Sequence, residues 1–176
     1  MTSLFRLPPP SITLAFGGLT TSFVFFTAVS DETRGIIPLL NGRLGPAAFD
    51  DKTRAGIWGA YLKKAGARFK NIIGGSVLSA LLHFTVSYSH PSPFIRRLTF
   101  ASGVTSLLIL PITFLSGVLK INARLQAIED DTQTPEKDEV KSLVETWEIK
   151  HLFRMPAYGM AWALSFVAIC FDKRGC

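Results

Sequence analysis

The chain is poor in charge and in cysteine. Charged residues make up 18% of its 176 residues, below the roughly 25% usual for soluble domains. Its two cysteines, Cys170 and Cys176, make no disulfide framework, and no C-x-x-C pair or Cys/His zinc spacing occurs. A disulfide-stapled module and a zinc module are therefore both excluded. No P-loop, no G-x-G-x-x-G after a strand pattern, no H-E-x-x-H and no C-x-x-C-H haem tether is present. That removes the usual phosphate loops, zinc hydrolysis and covalent haem. Asn41, Asn71 and Asn122 are followed by residues that rule out a glycosylation sequon, and no internal repeat or low-complexity tract breaks the chain.

What the sequence does have is apolar surface. Phe alone occurs 14 times, and mean hydropathy is +0.30, a profile foreign to disordered chains and to soluble domains. The net charge of +6 raises nucleic acid as a partner. However, the basic residues flank apolar runs instead of forming an aromatic-interleaved patch, so they read as membrane-flanking charge and nucleic acid is set aside.

Four apolar runs organise the chain, and the expected spans are about 11–30, 71–88, 98–119 and 153–171. Ser11–Ser30 carries no charge; at about 1.5 Å per residue it covers about 30 Å, the thickness of the hydrocarbon core. It is too long for a signal-peptide core and has only Arg6 before it, so it reads as an uncleaved anchor. The second run has His83 as its one ionisable residue, and the third is interrupted by Pro111, which membrane helices tolerate. The fourth, Met155–Phe171, extends as a helical pattern back to about Val140. The expected fold is thus all-α: a single multi-pass integral membrane domain over 1–176, a four-helix bundle with both termini on one side. In a eukaryotic cell it belongs in the endoplasmic reticulum or another endomembrane.

The connections 31–70 and 120–154 then share the other side and hold most of the Lys and Arg, which favours their facing the cytoplasm. Within the first, Thr53–Lys70 sets Ile57, Tyr61 and Leu62 against Lys63, Lys64, Arg68 and Lys70. This is the pattern of an amphipathic helix lying on the bilayer surface before the second span. Within the second, residues 129–138 form an acidic turn around Pro135.

Polar residues inside the runs fall into stripes. Thr13, Gly17 and Thr21 form a small-residue ridge for close helix approach. Ser76, Ser79, His83 and Ser87 recur at helical spacing, as do Ser102, Ser106, Thr113 and Ser116. For His83 two readings stay open, a neutral histidine bonded to a serine and a functional group, because an ionisable side chain at mid-membrane is costly unless it is neutral and hydrogen-bonded. The sharpest stripe runs Trp147, His151, Arg154, Tyr158, Trp162 and Ser165, at steps of three and four that turn all six inward.

Depth limits which of these can cooperate. Asn122, just past the third run, is level with His151 and Arg154 at the start of the fourth, whereas His83 lies about 18 Å deeper than Asn71. One metal shared by His83 and His151 is excluded by the roughly 2 Å reach of a ligand, and no carboxylate inside the runs completes another set. No metal site is expected.

Three segments carry a family resemblance: Leu110-Pro111-Ile112-Thr113, then Ile121-Asn122-Ala123-Arg124-Leu125, then Trp147 through His151 to Arg154 in W-x-x-x-H-x-x-R. Together they resemble the small four-helix membrane proteins of the DUF1772 group, whose members include the fungal anthrone oxygenases. The resemblance implies oxygenation of a planar phenolic polyketide in secondary-metabolite biosynthesis, the anthrone methylene becoming a carbonyl with O₂ as co-substrate and no other cofactor. On that reading His151 is the base and Arg154 the anion stabiliser. Asn122, Trp147 and Tyr158 contact the substrate. The rival expectation is a non-catalytic membrane scaffold that recruits soluble pathway enzymes through its acidic turn, with a transporter as a third.

Overall fold

Each apolar run becomes a helix in the computed structural model, which describes residues 9–42, 49–130, 132–136 and 138–172, with backbone alone at 34 and 64–71. Arg6, Cys176 and the side chains of Lys64, Arg68 and Lys70 lie outside the described residues. Those described form seven helices and no strand: α1 Pro9–Arg34, α2 Ile36–Leu40, α3 Asp51–Ser89, α4 Pro93–Leu115, α5 Val118–Glu129, α6 Glu139–Leu152 and α7 Met155–Phe171. Four segments are long and apolar enough to cross a bilayer, within Pro9–Leu40, Ile72–Ser89, Pro93–Leu115 and Glu139–Phe171. The all-α membrane architecture expected from the sequence is the one observed.

The breaks have local causes. Pro93 begins α4, where its missing N–H costs nothing, and Pro111 is accommodated inside the same helix. The third span was expected to run from Leu98 to Leu119; it begins earlier and stops at Leu115, because Gly117 takes a left-handed φ of 75°, open to glycine and costly for other residues. The fourth pattern is also divided. Pro156 offers no N–H to the Leu152 carbonyl and crowds it, so the chain turns at Phe153–Arg154, where the Arg154 N–H donates to the His151 carbonyl at 3.1 Å.

The amphipathic segment at 53–70 is the first half of α3, which continues without a break for 39 residues. Asp50 caps it by accepting the Thr53 N–H at 2.7 Å; the Thr53 hydroxyl and N–H together hold its carboxyl below the usual aspartate range. The apolar face meets protein where a lipid surface was expected. Trp58 is fully buried, and Ile57, Tyr61 and Leu62 pack on the same cluster.

The chain forms two compact units. Residues 9–26, 72–110 and 155–172 make the first, which contains a stretch of each span. Its outer surface is apolar, with Phe16, Leu19, Phe23, Leu81, Phe100 and Phe166 exposed, an arrangement suited to lipid as solvent. Its interior holds Ser76, Ser79, His83, Ser102, Ser106 and Ser165 from the polar stripes. His83 is fully buried and bonded at both nitrogens, Nδ1 donating to the Ser79 carbonyl at 2.7 Å and Nε2 accepting from the Ser165 hydroxyl at 2.8 Å. Since a carbonyl can only accept, Nδ1 carries a proton, and a neutral ring then satisfies both bonds, with the Ser165 hydroxyl donating to Nε2. The bonded-histidine reading is the one that the structure supports. The second unit takes residues 27–42, 49–71 and 111–154, the long connections and the helix ends that adjoin them.

Gly17 makes room for His83: a Cβ there would stand 2.8 Å from the imidazole Cε1, whereas one at Gly74 would meet nothing within 4 Å. Gly17→Ala is therefore expected to destabilise the protein by about 1–3 kcal/mol through overpacking, and Gly74→Ala to leave it unchanged or slightly more stable. Denaturant titration of both variants in detergent checks this, and equal midpoints would refute the close contact.

Candidate functional site

The second unit is built around a tryptophan. Its core joins Ile37 and Leu40 of α2, Ala55 and Trp58 of α3, Leu125 and Ile128 of α5, and Val140, Val144 and Trp147 of α6. Trp147 is 6% exposed, and a buried indole N–H needs an acceptor. It finds one in Asn122 Oδ1 at 2.9 Å. The rings of Trp58 and Tyr61 meet it edge-on, with centroids at 6.2 and 6.4 Å. One turn further along α6 the His151 ring stacks on it, 4.9 Å between centroids and 26° from parallel. The Asn122 side-chain oxygen being taken by Trp147, its NH₂ group is the part left to donate elsewhere.

Behind His151 stands a carboxylate. Glu32, in the last turn of α1, places Oε2 3.6 Å from His151 Nδ1, the two side chains being 12% and 14% exposed. Arg154 is 3% exposed and reaches the Thr113 hydroxyl with Nη1 at 3.5 Å. Glu148 is also buried and accepts from the Asn41 amide. Both carboxylates lie outside the apolar runs: α1 continues past Ser30 and carries Glu32 into the protein, and α6 turns Glu148 inward. Burial gives such a carboxylate unusual weight, because water no longer screens it.

A family model for the anthrone oxygenases matches residues 63–164, more than half of the chain. This protein belongs to the anthrone oxygenase family. Comparison with curated proteins and with solved structures gives no match. The matched segment includes Asn122, Trp147, His151, Arg154 and Tyr158; Glu32 and Trp58 fall outside it.

Of the five residues singled out in the sequence of this anthrone oxygenase family member, Asn122, Trp147, His151 and Arg154 all lie in the second unit, the first three in direct succession. Tyr158 lies in the first unit, 3% exposed, where it lines a cavity of about 10 Å³ with Thr21, Ser76, Ser79 and Ser106. Among the described residues no three His, Cys, Asp or Glu side chains cluster as a metal site. Glu32, Glu148 and Trp58 went unnoticed in the sequence. The one signal for Glu32 was an acidic residue in the last turn of a helix, where the helix dipole disfavours it.

The Trp147–Asn122 bond is open to measurement. In a double-mutant cycle of Trp147→Phe and Asn122→Ala, the coupling energy is expected to be about 0.5–1.5 kcal/mol. Unfolding in mixed detergent micelles provides the four stabilities, and additivity of the two substitutions would deny the hydrogen bond an energetic role.

Proposed function

We propose that this protein is a multi-pass membrane oxygenase of an endomembrane that converts the ring methylene of an anthrone-like aromatic polyketide to a carbonyl. The family match carries the reading, and the Asn122–Trp147–His151 succession beside buried Arg154 supports it. A methylene flanked by two aromatic rings is acidic enough for a positioned imidazole to remove a proton, and Nε2 of His151 takes it. The carbanion that results is a delocalised phenolate-type anion. Arg154 stabilises its oxygen with a charged fork, and the Asn122 amide donates to a neighbouring carbonyl or hydroxyl. Trp147, on which the His151 ring stacks, sets the plane of the base, and Tyr158, a residue of the first unit, is given no part in this site.

The electron-rich anion reduces O₂ directly, and the carbon–oxygen bond forms as a peroxide anion that the imidazolium protonates. Removal of the second methylene proton breaks the O–O bond, leaving the carbonyl and releasing hydroxide, which leaves as water. Overall one CH₂ and one O₂ give one C=O and one H₂O, so no external reductant is required and O₂ is the sole co-substrate in the proposal. The scaffold alternative has less charge to work with: the Glu129 carboxylate accepts from Lys63 at 2.9 Å, and Glu139 is held by Arg124 at 2.7 Å.

The test is O₂ consumption with anthrone substrates by the purified protein in detergent. His151→Ala is expected to lower turnover on the order of 10²–10⁴-fold with normal expression. Arg154→Lys is expected to be costly as well, since an ammonium cannot reproduce the planar fork. His83→Ala, by contrast, should act mainly on stability. Activity kept in His151→Ala and lost in a well-folded His83→Ala would discard the assignment, and wild-type protein inert toward all anthrones would favour the scaffold.

A further inference from the structure

The proposed base has a ring nitrogen that the reaction does not use, and that atom is the informative one. Nδ1 of His151 is buried and makes no hydrogen bond within the usual distance, while Nε2 is absent from the buried unpartnered atoms. The imidazole therefore presents one nitrogen to the interior and the other to the accessible side. What faces the interior nitrogen is Glu32 Oε2 at 3.6 Å, a few tenths of an ångström beyond a hydrogen bond.

Local helix energetics do not account for a carboxylate at this position. The carboxyl end of a helix carries partial negative charge, so an acidic last turn opposes the dipole. Glu32 is held in this place nonetheless, with its side chain mostly out of water and directed at a histidine 119 positions later in the chain. The Trp147 ring fixes the plane of the imidazole from one side by stacking, and an in-plane partner at Nδ1 is what remains to fix its rotation and tautomer.

We infer that Glu32 is the positioning residue of His151: its carboxylate accepts the Nδ1 proton, which leaves the lone pair on Nε2 as the base. The inference rests on the proposed oxygenase reading and deepens it. When Nε2 takes the substrate proton, the ring becomes an imidazolium whose new charge is shared with the carboxylate, which itself stays ionised, the logic of an acid–histidine pair in other general-base enzymes. The gap closes by a small movement of either side chain, since catalytic hydrogen bonds are often long before substrate arrives.

The tautomer is directly measurable. In full-length protein reconstituted in nanodiscs, ¹⁵N-histidine spectra, assigned with His151→Ala, should show His151 protonated at Nδ1. Glu32→Gln should shift the ring toward the Nε2–H form, and Glu32→Asp should restore part of the original signal. The unchanged His83 resonance reports that the variants are folded. In the turnover assay Glu32→Gln should lose roughly 10–10² in kcat, part of what a general base supplies, with KM nearly unchanged. A wild-type ring protonated at Nε2, or spectra indifferent to Glu32, would overturn the pairing. The two readings fail separately. Spectra as expected with no turnover of any anthrone leave the pair standing and remove the oxygenase reading; normal turnover with indifferent spectra does the reverse.

Discussion

Everything in the second unit turns on one buried N–H. An indole placed in an apolar cluster gains a large area of contact, and more when its nitrogen finds an acceptor, as that of Trp147 does and that of fully buried Trp58 does not. Asn122 answers that need, and in doing so fixes α5 against α6 at one register. Once Trp147 is held, its two faces and its edge are assigned: Trp58 and Tyr61 of α3 meet it edge-on, and His151 covers a face. The plane of the proposed catalytic imidazole is therefore a consequence of core packing, which is one way a site is given precision.

The first unit solves the same problem in a drier setting. Several of its interior polar groups pair with one another or with helix carbonyls: His83 with Ser79 and Ser165, and Ser102 with the Ala161 carbonyl at 2.8 Å. Such bonds tie helices together where lipid offers no hydrophobic force between them. Serine and histidine stripes in a membrane chain thus have two quite different uses, and the partners decide which applies. A ring bonded at both nitrogens, like His83, has no lone pair to offer. His151, stacked on Trp147, is the ring whose Nε2 the proposed reaction uses.

Much of this was legible in the sequence. The four runs and the all-helical fold follow from 3.6-residue periodicity and a rise of about 1.5 Å, and the same rise leads to the expectation that Asn122 lies level with His151 and Arg154. What periodicity cannot convey is pairing between segments far apart in the chain. Glu32 lies beyond the apolar run that marks the first span and so reads as a solvated flank; Glu148 reads as one charge among several on a mixed helix. Ile57, Tyr61 and Leu62 read as a lipid-facing stripe, and Trp58 beside them goes unnoticed, because an amphipathic face has the same pattern whether it meets membrane or protein. Gly117 and Pro156 are visible as breakers, yet the hydrophobicity on either side of each conceals that the helix stops.

Those two breakers have a further consequence for the long inward stripe. Six residues at steps of three and four on an unbroken helix form one continuous face and serve one set of neighbours. The turn at Phe153–Arg154 divides them. Trp147, His151 and Arg154 belong to the second unit, and Tyr158, Trp162 and Ser165 to the first. Trp162 there stacks with Phe25 at 5.4 Å between centroids, and Ser165 is occupied by His83. The upstream half packs within the second unit, where Trp147 is bonded to Asn122 and carries the His151 ring. Proline at the second position of α7 is tolerated by the helix that it opens and fatal to continuity with the helix before it. A single residue type thus separates the part of the stripe that packs the first unit from the part that carries the proposed site.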